Sequence, residues 1–419
     1  MDKLVIEGGK PLSGTIRIHG AKNAALPILA ATLLAREPVT LRNIPKLLDI
    51  EVMLDIMRDL GCAVLRRGDV VTIDGTVADS SHVPERLMRL MRSSVFLMGP
   101  LLARFGEVQV YQPGGCAIGE RKIDLHLRGL AALGAKIEET GSRIVCKAAR
   151  LTGAEISLDF PSVGATENIM MAAVMADGRT TIIGAAREPE IQDLQRFLNA
   201  IGAKVRGAGT DTITVDGTDN LGGCDFQIIP DRIVTGTAMV AAAATRGEVT
   251  LEGAESAHLI SLIHVMRRAG VHIETEDGII RVGAKGRPRA VDRIVTSPYP
   301  AFPTDMQAQL MVLLSLAGGV SVIKETVFEG RFKHVDELCR MGADIRIDLN
   351  SAIVRGVPRL YGTAVEATDL RAGAALVIAG LAAHGRTIVE QVHHIDRGYD
   401  EIERMFASLG GDISRVSDG

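Results

Sequence analysis

Apolar and polar positions along the chain repeat one scheme six times. A run that is apolar nearly all round comes first, then a short alternating segment. An amphipathic stretch closed by Gly follows, and a second alternating segment ends the scheme. The closing signature reads Leu60-Gly61-Cys62-Ala63-Val64, Leu133-Gly134-Ala135-Lys136-Ile137 and Ile201-Gly202-Ala203-Lys204-Val205. It returns as Ala269-Gly270-Val271-His272-Ile273, Met341-Gly342-Ala343-Asp344-Ile345 and Leu409-Gly410-Gly411-Asp412-Ile413. The spacing is about 70 residues each time, which chance recurrence does not maintain. Each Gly ends a helical pattern such as Asp193–Ile201 or Tyr399–Leu409 and predicts its C-terminal stop. Short strands are predicted before those helices at Val39–Leu41, Val108–Tyr111, Thr180–Ile183, Val249–Leu251, Val320–Ile323 and Thr387–Val389. The Ala-rich runs Asn23–Leu34, Ser94–Ala103, Thr166–Ala176, Ile233–Ala244, Met306–Ala317 and Leu370–Ala383 predict helices buried on every face. Together these patterns predict an α/β fold of six repeated units, with buried helices inside and sheets outside.

The last unit stops at Gly411-Asp412-Ile413 without the closing strands that earlier units carry, such as Ile353–Arg355 and Leu360–Val365. The missing piece stands at the other end, in Leu4–Glu7 and Leu12–Ile18, so the N-terminal hairpin is expected to complete unit six. At 419 residues the chain suits two domains. Units one to three are expected to occupy residues 21–230; units four to six take 231–419 together with 1–20. Two chain crossings then join the domains as a natural hinge, and the active site is expected in the interdomain cleft.

Composition narrows the function classes. Aromatic residues make up only 3% and Trp is absent, so stacking platforms for nucleic acid are not expected. A net charge of −4 argues against a bulk basic surface for nucleic acid or acidic lipid. The five cysteines are widely spaced with no C-x-x-C, which speaks against a disulfide framework or structural zinc and for a reducing compartment. Met1–Gly9 reads as strand and turn, and the longest apolar stretches are too short for a membrane span. A cytoplasmic protein without membrane or nucleic-acid partners is expected.

Polar residues gather where the buried helices begin: Lys22-Asn23, Arg92-Ser93-Ser94, Ser162–Thr166, Asp231-Arg232, Thr304-Asp305 and Thr368–Arg371. Capping explains Ser162, Thr166, Thr304 and Thr368. It explains Lys22, Arg92, Arg232 and Arg371 poorly, because a cation at a helix N-terminus needs an anion or a carboxylate to answer it. Pairing with Asp231 or Asp369 is a structural alternative for some of them; the remainder, with Arg121, Arg331 and Arg397, form a plausible anion pocket. The loop Gly114-Gly115-Cys116-Ala117-Ile118-Gly119-Glu120-Arg121 places a thiol on flexible backbone near a fixed cation, which makes it easier to ionise; a surface turn that happens to hold Cys is the plainer alternative. Asp305, leading its helix, is expected to contribute little to the core. His393-His394 beside Asp396 raises a metal, but adjacent histidines on a strand would face opposite ways, which favours structural roles. No P-loop, Rossmann or G-x-S-x-G pattern is present in the sequence.

The segments Gly20–Pro27, Pro113–Gly119, Ala301–Gln309 and His394–Tyr399 resemble the UDP-N-acetylglucosamine 1-carboxyvinyltransferase family, and the likeness runs the full length of the chain. The resemblance implies a two-domain inside-out α/β barrel of the enolpyruvyl transferase type. It also implies transfer of the enolpyruvyl group of phosphoenolpyruvate to the sugar 3′-hydroxyl, through a tetrahedral phospho-ketal. The substrates phosphoenolpyruvate and UDP-N-acetylglucosamine are its implied partners, in a monomer or weak homo-oligomer, with no metal or organic cofactor. Carried onto matching positions, Cys116 is the general acid and can form a covalent phosphoenolpyruvate adduct, and Asp305 accepts the hydroxyl proton. Lys22, Arg121 and Arg397 would hold the phosphate; Arg331 and Arg371 would hold the carboxylate; Asn23 would touch sugar and reacting centre. Arg92, Arg121, Lys122, Ile123, Asp124, Leu125, Ser162, Val163, Gly164, Asp305 and Val327 would bind the UDP-sugar. The chain departs from some relatives at Phe160-Pro161, where they carry a basic residue two places before Ser162. The resemblance also implies a target for the phosphonate epoxide fosfomycin. Two other readings stay open: the shikimate-pathway enolpyruvyl transferase, with another acceptor, and a non-catalytic UDP-sugar sensor.

Overall fold

The computed structural model describes residues 2–112 and 123–417. Among these, the chain divides into two compact units, one made of 2–19 with 230–417, the other of 20–112 with 123–229. Each has its own apolar core.

Among the described residues, five four-stranded sheets and one three-stranded sheet account for the six repeats. Every predicted Gly stop adopts a left-handed backbone, with φ of 89° at Gly61, 97° at Gly134, 107° at Gly202, 89° at Gly270, 92° at Gly342 and 84° at Gly410. A side chain would be strained there, which is why the signature keeps Gly as the helix turns into its strand. The six apolar runs form the helices Lys22–Ala31, Met98–Phe105, Val163–Ala173, Arg232–Ala244, Gln307–Ser315 and Leu370–Ala382. Short 3₁₀ turns extend three of them, at Thr32–Leu34, Arg92–Leu97 and Thr304–Met306. In Arg232–Ala244 all thirteen residues are buried, as a helix surrounded by other elements requires. Within the first unit the helices Arg232–Ala244, Gln307–Ser315 and Leu370–Ala382 pack on one another.

The N-terminal segment differs from the expected hairpin. Asp2–Glu7 does complete the last sheet, lying antiparallel between Arg386–Glu390 and Asp412–Ser417, with Leu4 opposite both Val389 and Arg415. Ser13–Arg17, however, runs parallel to Glu248–Glu252 in a different sheet. The same hand-off recurs: Glu155–Ser157, Asp225–Gln227, Arg293–Val295 and Ala364–Glu366 each add a parallel strand to another repeat's sheet. A parallel partner cannot follow through a tight turn, so the closing strand crosses to a neighbour rather than folding back. Among the described residues, five of the repeats thereby stitch themselves to another of the same unit.

The pair His393-His394 also differs. Gln391 takes a left-handed φ of 57° and ends the strand, so the two histidines fall in the 3₁₀ turn Val392–His394. Their rings lie 4.1 Å apart between centroids instead of on opposite faces.

Candidate active site

Asp305 is the centre of a charged cluster built at the leading ends of the buried helices. It sits in the 3₁₀ turn Thr304–Met306, where Pro303 starts the turn and the apolar run carries it into the core. Its carboxylate accepts from Arg331 Nη2 at 2.6 Å and from Arg371 Nη2 at 3.0 Å, one guanidinium on each oxygen. Both arginines are buried. Burial opposes the charge on Arg371, but Asp305, Tyr399 and Asp231 outweigh it and hold the guanidinium protonated. The Tyr399 hydroxyl lies 3.4 Å from Arg371 Nη1, and the guanidinium sits over the phenol ring.

A second layer fixes these groups. Glu325, buried at the end of strand Val320–Lys324, accepts from the hydroxyls of Thr296 and Thr304, each at 2.8 Å. It also accepts from the backbone N–H of Val327 at 2.8 Å and of Phe328 at 3.1 Å. Val327 is thus held by a carboxylate next to the Asp305 turn. The Thr304 hydroxyl in turn accepts from Arg331 Nη1 at 2.8 Å. Arg397 follows the turn Val392–His394. Its charge, after burial and His393, is among the causes that lower the His394 pKa, while Asp369 opposes them. Asp369 and Arg331 act likewise on His334, whose pKa burial pushes down to about 4, leaving a neutral imidazole.

Capping is divided differently from the sequence expectation. Ser162 does cap its helix, accepting from the Ala165 N–H at 3.4 Å. Thr304 does not cap; its hydroxyl serves Glu325 and Arg331. The Thr368 hydroxyl is buried with no hydrogen-bond partner. Asp369 caps instead, taking the N–H groups of Arg371 and Ala372 at 2.8 and 3.0 Å, and Asp231 does the same for Ile233 and Val234. A carboxylate one position nearer the helix reaches two N–H groups and offsets the cation that follows.

The other unit holds the remaining described candidates. Lys22 opens the helix Lys22–Ala31, and its buried ammonium pairs with Asp49 at 3.2 Å, so a carboxylate does answer that cation. Asn23 beside it is half-buried. Ser162, Val163 and Gly164 form the leading turn of the helix Val163–Ala173. A Cβ on Gly164 would meet His126 Cε1 at 3.0 Å, so any larger residue in this turn would require that ring to give way. Ile123, Asp124 and Leu125 stand at the start of the helix Asp124–Ala132, with Asp124 exposed. Cys116, Arg121 and Lys122 lie outside the described residues, as does the side chain of Arg92.

Two buried residues of this unit were not singled out by the sequence reading. Asn168 donates to Val95 O at 2.9 Å, meets His126 Nδ1 at 2.8 Å and accepts from the Gly99 N–H at 2.8 Å. It ties the Arg92–Leu97 turn and the Asp124–Ala132 helix to the helix that begins at Val163. A single amide inside an Ala- and Met-rich helix is the signal that would have found it. Asn168→Leu should cost about 1–3 kcal/mol, because it strands buried backbone groups; a urea midpoint within error of the parent's would refute that tie.

Glu167, next to it, is fully buried with no hydrogen-bond partner on either carboxyl oxygen. Burial, then Glu190 and Glu188, raise its pKa well above the ordinary value. The folded state therefore keeps this proton while the unfolded chain releases it. The associated stability is complete at acid pH, below the unfolded value, and is lost as pH rises towards the folded one. Glu167→Gln keeps the shape without the ionisation, so it should raise the thermal midpoint more at pH 8 than at pH 5. Equal shifts at both would contradict a buried neutral carboxyl.

Comparison with known proteins shows the family and the fold. The sequence profile of EPSP synthase (3-phosphoshikimate 1-carboxyvinyltransferase) matches residues 6–406. UDP-N-acetylglucosamine 1-carboxyvinyltransferase of Magnetococcus marinus is 53% identical over 418 residues, which cover 99% of this chain and 100% of the relative. UDP-N-acetylglucosamine 1-carboxyvinyltransferase 2 of Caldanaerobacter subterraneus subsp. tengcongensis is 51% identical over 416 residues, 99% and 100% of the two chains. The chain belongs to the UDP-N-acetylglucosamine 1-carboxyvinyltransferase family. The wider enolpyruvyl transferase architecture extends to solved structures. The enolpyruvyl transferase NikO from Streptomyces tendae superposes with a TM-score of 0.91 at 26% identity, covering 100% of this chain and 99% of that one. EPSP synthase from Acinetobacter baumannii, at 19% identity and TM-score 0.77 over the whole of both chains, shares the fold.

Proposed function

We propose that this protein transfers the enolpyruvyl group of phosphoenolpyruvate to the 3′-hydroxyl of UDP-N-acetylglucosamine and releases phosphate, the first committed step of peptidoglycan biosynthesis. The observation that carries the reading is the pair of buried guanidiniums on the Asp305 carboxylate. Phosphoenolpyruvate brings adjacent phosphate and carboxylate groups, and guanidinium forks suit both. In this reading Arg331 and Arg371 receive the substrate carboxylate, while Lys22, Arg121 and Arg397 take the phosphate. Asn23 orients the sugar. Arg92, the run Arg121–Leu125, Ser162–Gly164 and Val327 bind the UDP-sugar.

Cys116 donates a proton to C3 of phosphoenolpyruvate, which makes C2 electrophilic. The sugar oxygen attacks C2 as its proton passes to Asp305. The tetrahedral ketal then returns a C3 proton to the Cys116 thiolate, its C2–O–P linkage breaks at carbon, and phosphate leaves with the bridging oxygen, taking up the proton held by Asp305. The same thiol, adding to C2 in place of the sugar, gives a covalent adduct. A cytoplasmic enzyme fits a nucleotide-sugar substrate and five unpaired-pattern cysteines.

The profile match to 3-phosphoshikimate 1-carboxyvinyltransferase favours a second acceptor, shikimate 3-phosphate. Phosphate release measured with phosphoenolpyruvate and each acceptor in turn separates the two. Release with UDP-N-acetylglucosamine alone is expected; release with shikimate 3-phosphate alone would overturn the assignment.

A further inference from the structure

We propose that Glu325 is a positioning residue for the transfer reaction: through the Thr304 hydroxyl it holds Arg331 against Asp305. The inference rests on the reading of Asp305 and Arg331 given above.

The hydrogen-bond directions are set by what each group can donate. Thr304 has one hydroxyl proton. Arg331 has only donors, so the bond of 2.8 Å from its Nη1 must use a lone pair of the Thr304 oxygen. The proton of that hydroxyl is then free for Glu325 Oε2, also at 2.8 Å. The order runs guanidinium, hydroxyl, carboxylate, with an ion at each end, which strengthens both bonds. Thr296 repeats the arrangement on the other oxygen. It accepts from the Thr326 N–H at 3.0 Å and donates to Glu325 Oε1 at 2.8 Å.

All four groups that face Glu325 are therefore donors: two hydroxyls and the backbone N–H of Val327 and Phe328. The two carboxyl oxygens are the acceptors for all four, and the site is 2% exposed, so water cannot replace them. The same residue reaches Arg331 by a second route. The Phe328 N–H is held by Glu325, and the Phe328 ring lies beneath the Arg331 guanidinium, 5.3 Å from it. One edge of the guanidinium is thus tied to Glu325 through Thr304 and one face rests on a residue Glu325 anchors. Nη2 is thereby left aimed at Asp305 at 2.6 Å.

Charge gives the arrangement its reason. Two buried guanidiniums, Arg331 and Arg371, share the Asp305 carboxylate. Asp231 also acts on Arg371, whereas Arg331 is answered by Asp305 directly and by Glu325 through Thr304. Without Glu325, Arg331 would depend on Asp305 alone and its fork would be free to turn. A shift on the order of 1 Å at a reacting group can cost about 100-fold in rate.

The test uses Glu325→Gln, Thr304→Val, the double variant and Thr304→Ser, each in the full-length enzyme. Turnover and KM are measured from phosphate release with UDP-N-acetylglucosamine and phosphoenolpyruvate, alongside thermal midpoints. Glu325→Gln turns an amide N–H₂ towards a donor; Thr304→Val removes the relay without moving a buried charge. Each should lower kcat by about 10- to 100-fold while KM for the sugar changes by less than about threefold. The double variant should lose no more than the worse single, because both act through Arg331. Thr304→Ser, which keeps the hydroxyl, should recover most of the loss. Should Glu325→Gln fail to fold, Thr304→Val and Thr304→Ser still decide the matter. Parent-like kcat in Thr304→Val, additive losses in the double variant, or no recovery with Ser would each overturn the proposal. Asp305→Asn separates this from the reading beneath it. Full turnover there would remove Asp305 from the mechanism, whereas a loss there with an intact Thr304→Val would overturn the positioning chain only.

Discussion

Asp305→Asn should lower turnover by on the order of 10²–10⁴-fold, the range expected when a positioned proton acceptor is lost. The carboxylate is held between Arg331 and Arg371, so its two oxygens have fixed directions and its ionised form is the one built into the site. The amide removes that charge while retaining the shape. Stability should also fall, contrary to the expectation that Asp305 contributes little to the core. A carboxylate that leads a helix reads as peripheral, yet this one answers two buried cations. Breaking a buried ion pair by removing one partner costs about 3–5 kcal/mol. Because the Asp305 side chain is 25% exposed, the low end of that range is the expectation. Phosphate release and a denaturation midpoint on the same preparation read both effects. Unchanged turnover would strike Asp305 from the reaction, and an unchanged midpoint would mean the arginines find other anions.

Covalent capture should be confined to Cys116. A phosphonate epoxide such as fosfomycin carries charge like phosphoenolpyruvate, and a thiolate can open its ring. The sulfur forms a bond to an epoxide carbon, the C–O bond breaks, and the alkoxide takes up a proton. Reactivity follows the thiolate fraction and access. Burial pushes the Cys62 thiol up to about 11, Cys146 to about 12 and Cys224 to about 11. Burial raises Cys339 as well, although this residue is exposed. None of these four thiols is primed to attack at neutral pH. Incubation followed by intact mass and peptide mapping should therefore find one adduct, at Cys116, formed faster with UDP-N-acetylglucosamine present. Cys116→Asp keeps a proton donor without the sulfur and should retain transfer while resisting the epoxide. A modified distal cysteine with Cys116 untouched would refute the assignment.

The parts of the fold that rest on local rules were legible in the sequence. Gly61, Gly134, Gly202, Gly270, Gly342 and Gly410 mark positions where the backbone turns left-handed, and a residue without Cβ is the local solution. The buried helices were legible because nothing but a fully enclosed position suits a run such as Ile233–Ala244. The strand hand-off was not, because Ser13–Arg17 looks the same whether it pairs with Asp2–Glu7 or crosses to Glu248–Glu252. That choice is made by tertiary packing.

The site divides in the same way. Asp305, Arg331 and Arg371 belong to separated segments, and resemblance named them; their mutual contact is a property of the fold. Glu325 escaped because a Glu after the apolar strand Val320–Ile323 reads as an ordinary solvated end. Only the donors converging on it show that it is an acceptor with a task. Thr368 and Asp369 show the limit of motif reading at one residue's resolution. Both types cap helices well, and the backbone geometry alone selects Asp369.

Enolpyruvyl transfer through a ketal dictates which bond of phosphoenolpyruvate breaks. Phosphoenolpyruvate labelled with ¹⁸O in the C2–O–P bridge, incubated with UDP-N-acetylglucosamine and this enzyme, tests it directly by mass spectrometry of both products. Addition and elimination should deliver the label to inorganic phosphate and leave the sugar carrying an unlabelled enolpyruvyl ether. Label retained in pyruvate, or a sugar that has gained a phosphoryl group, would mean cleavage at phosphorus and would contradict the account.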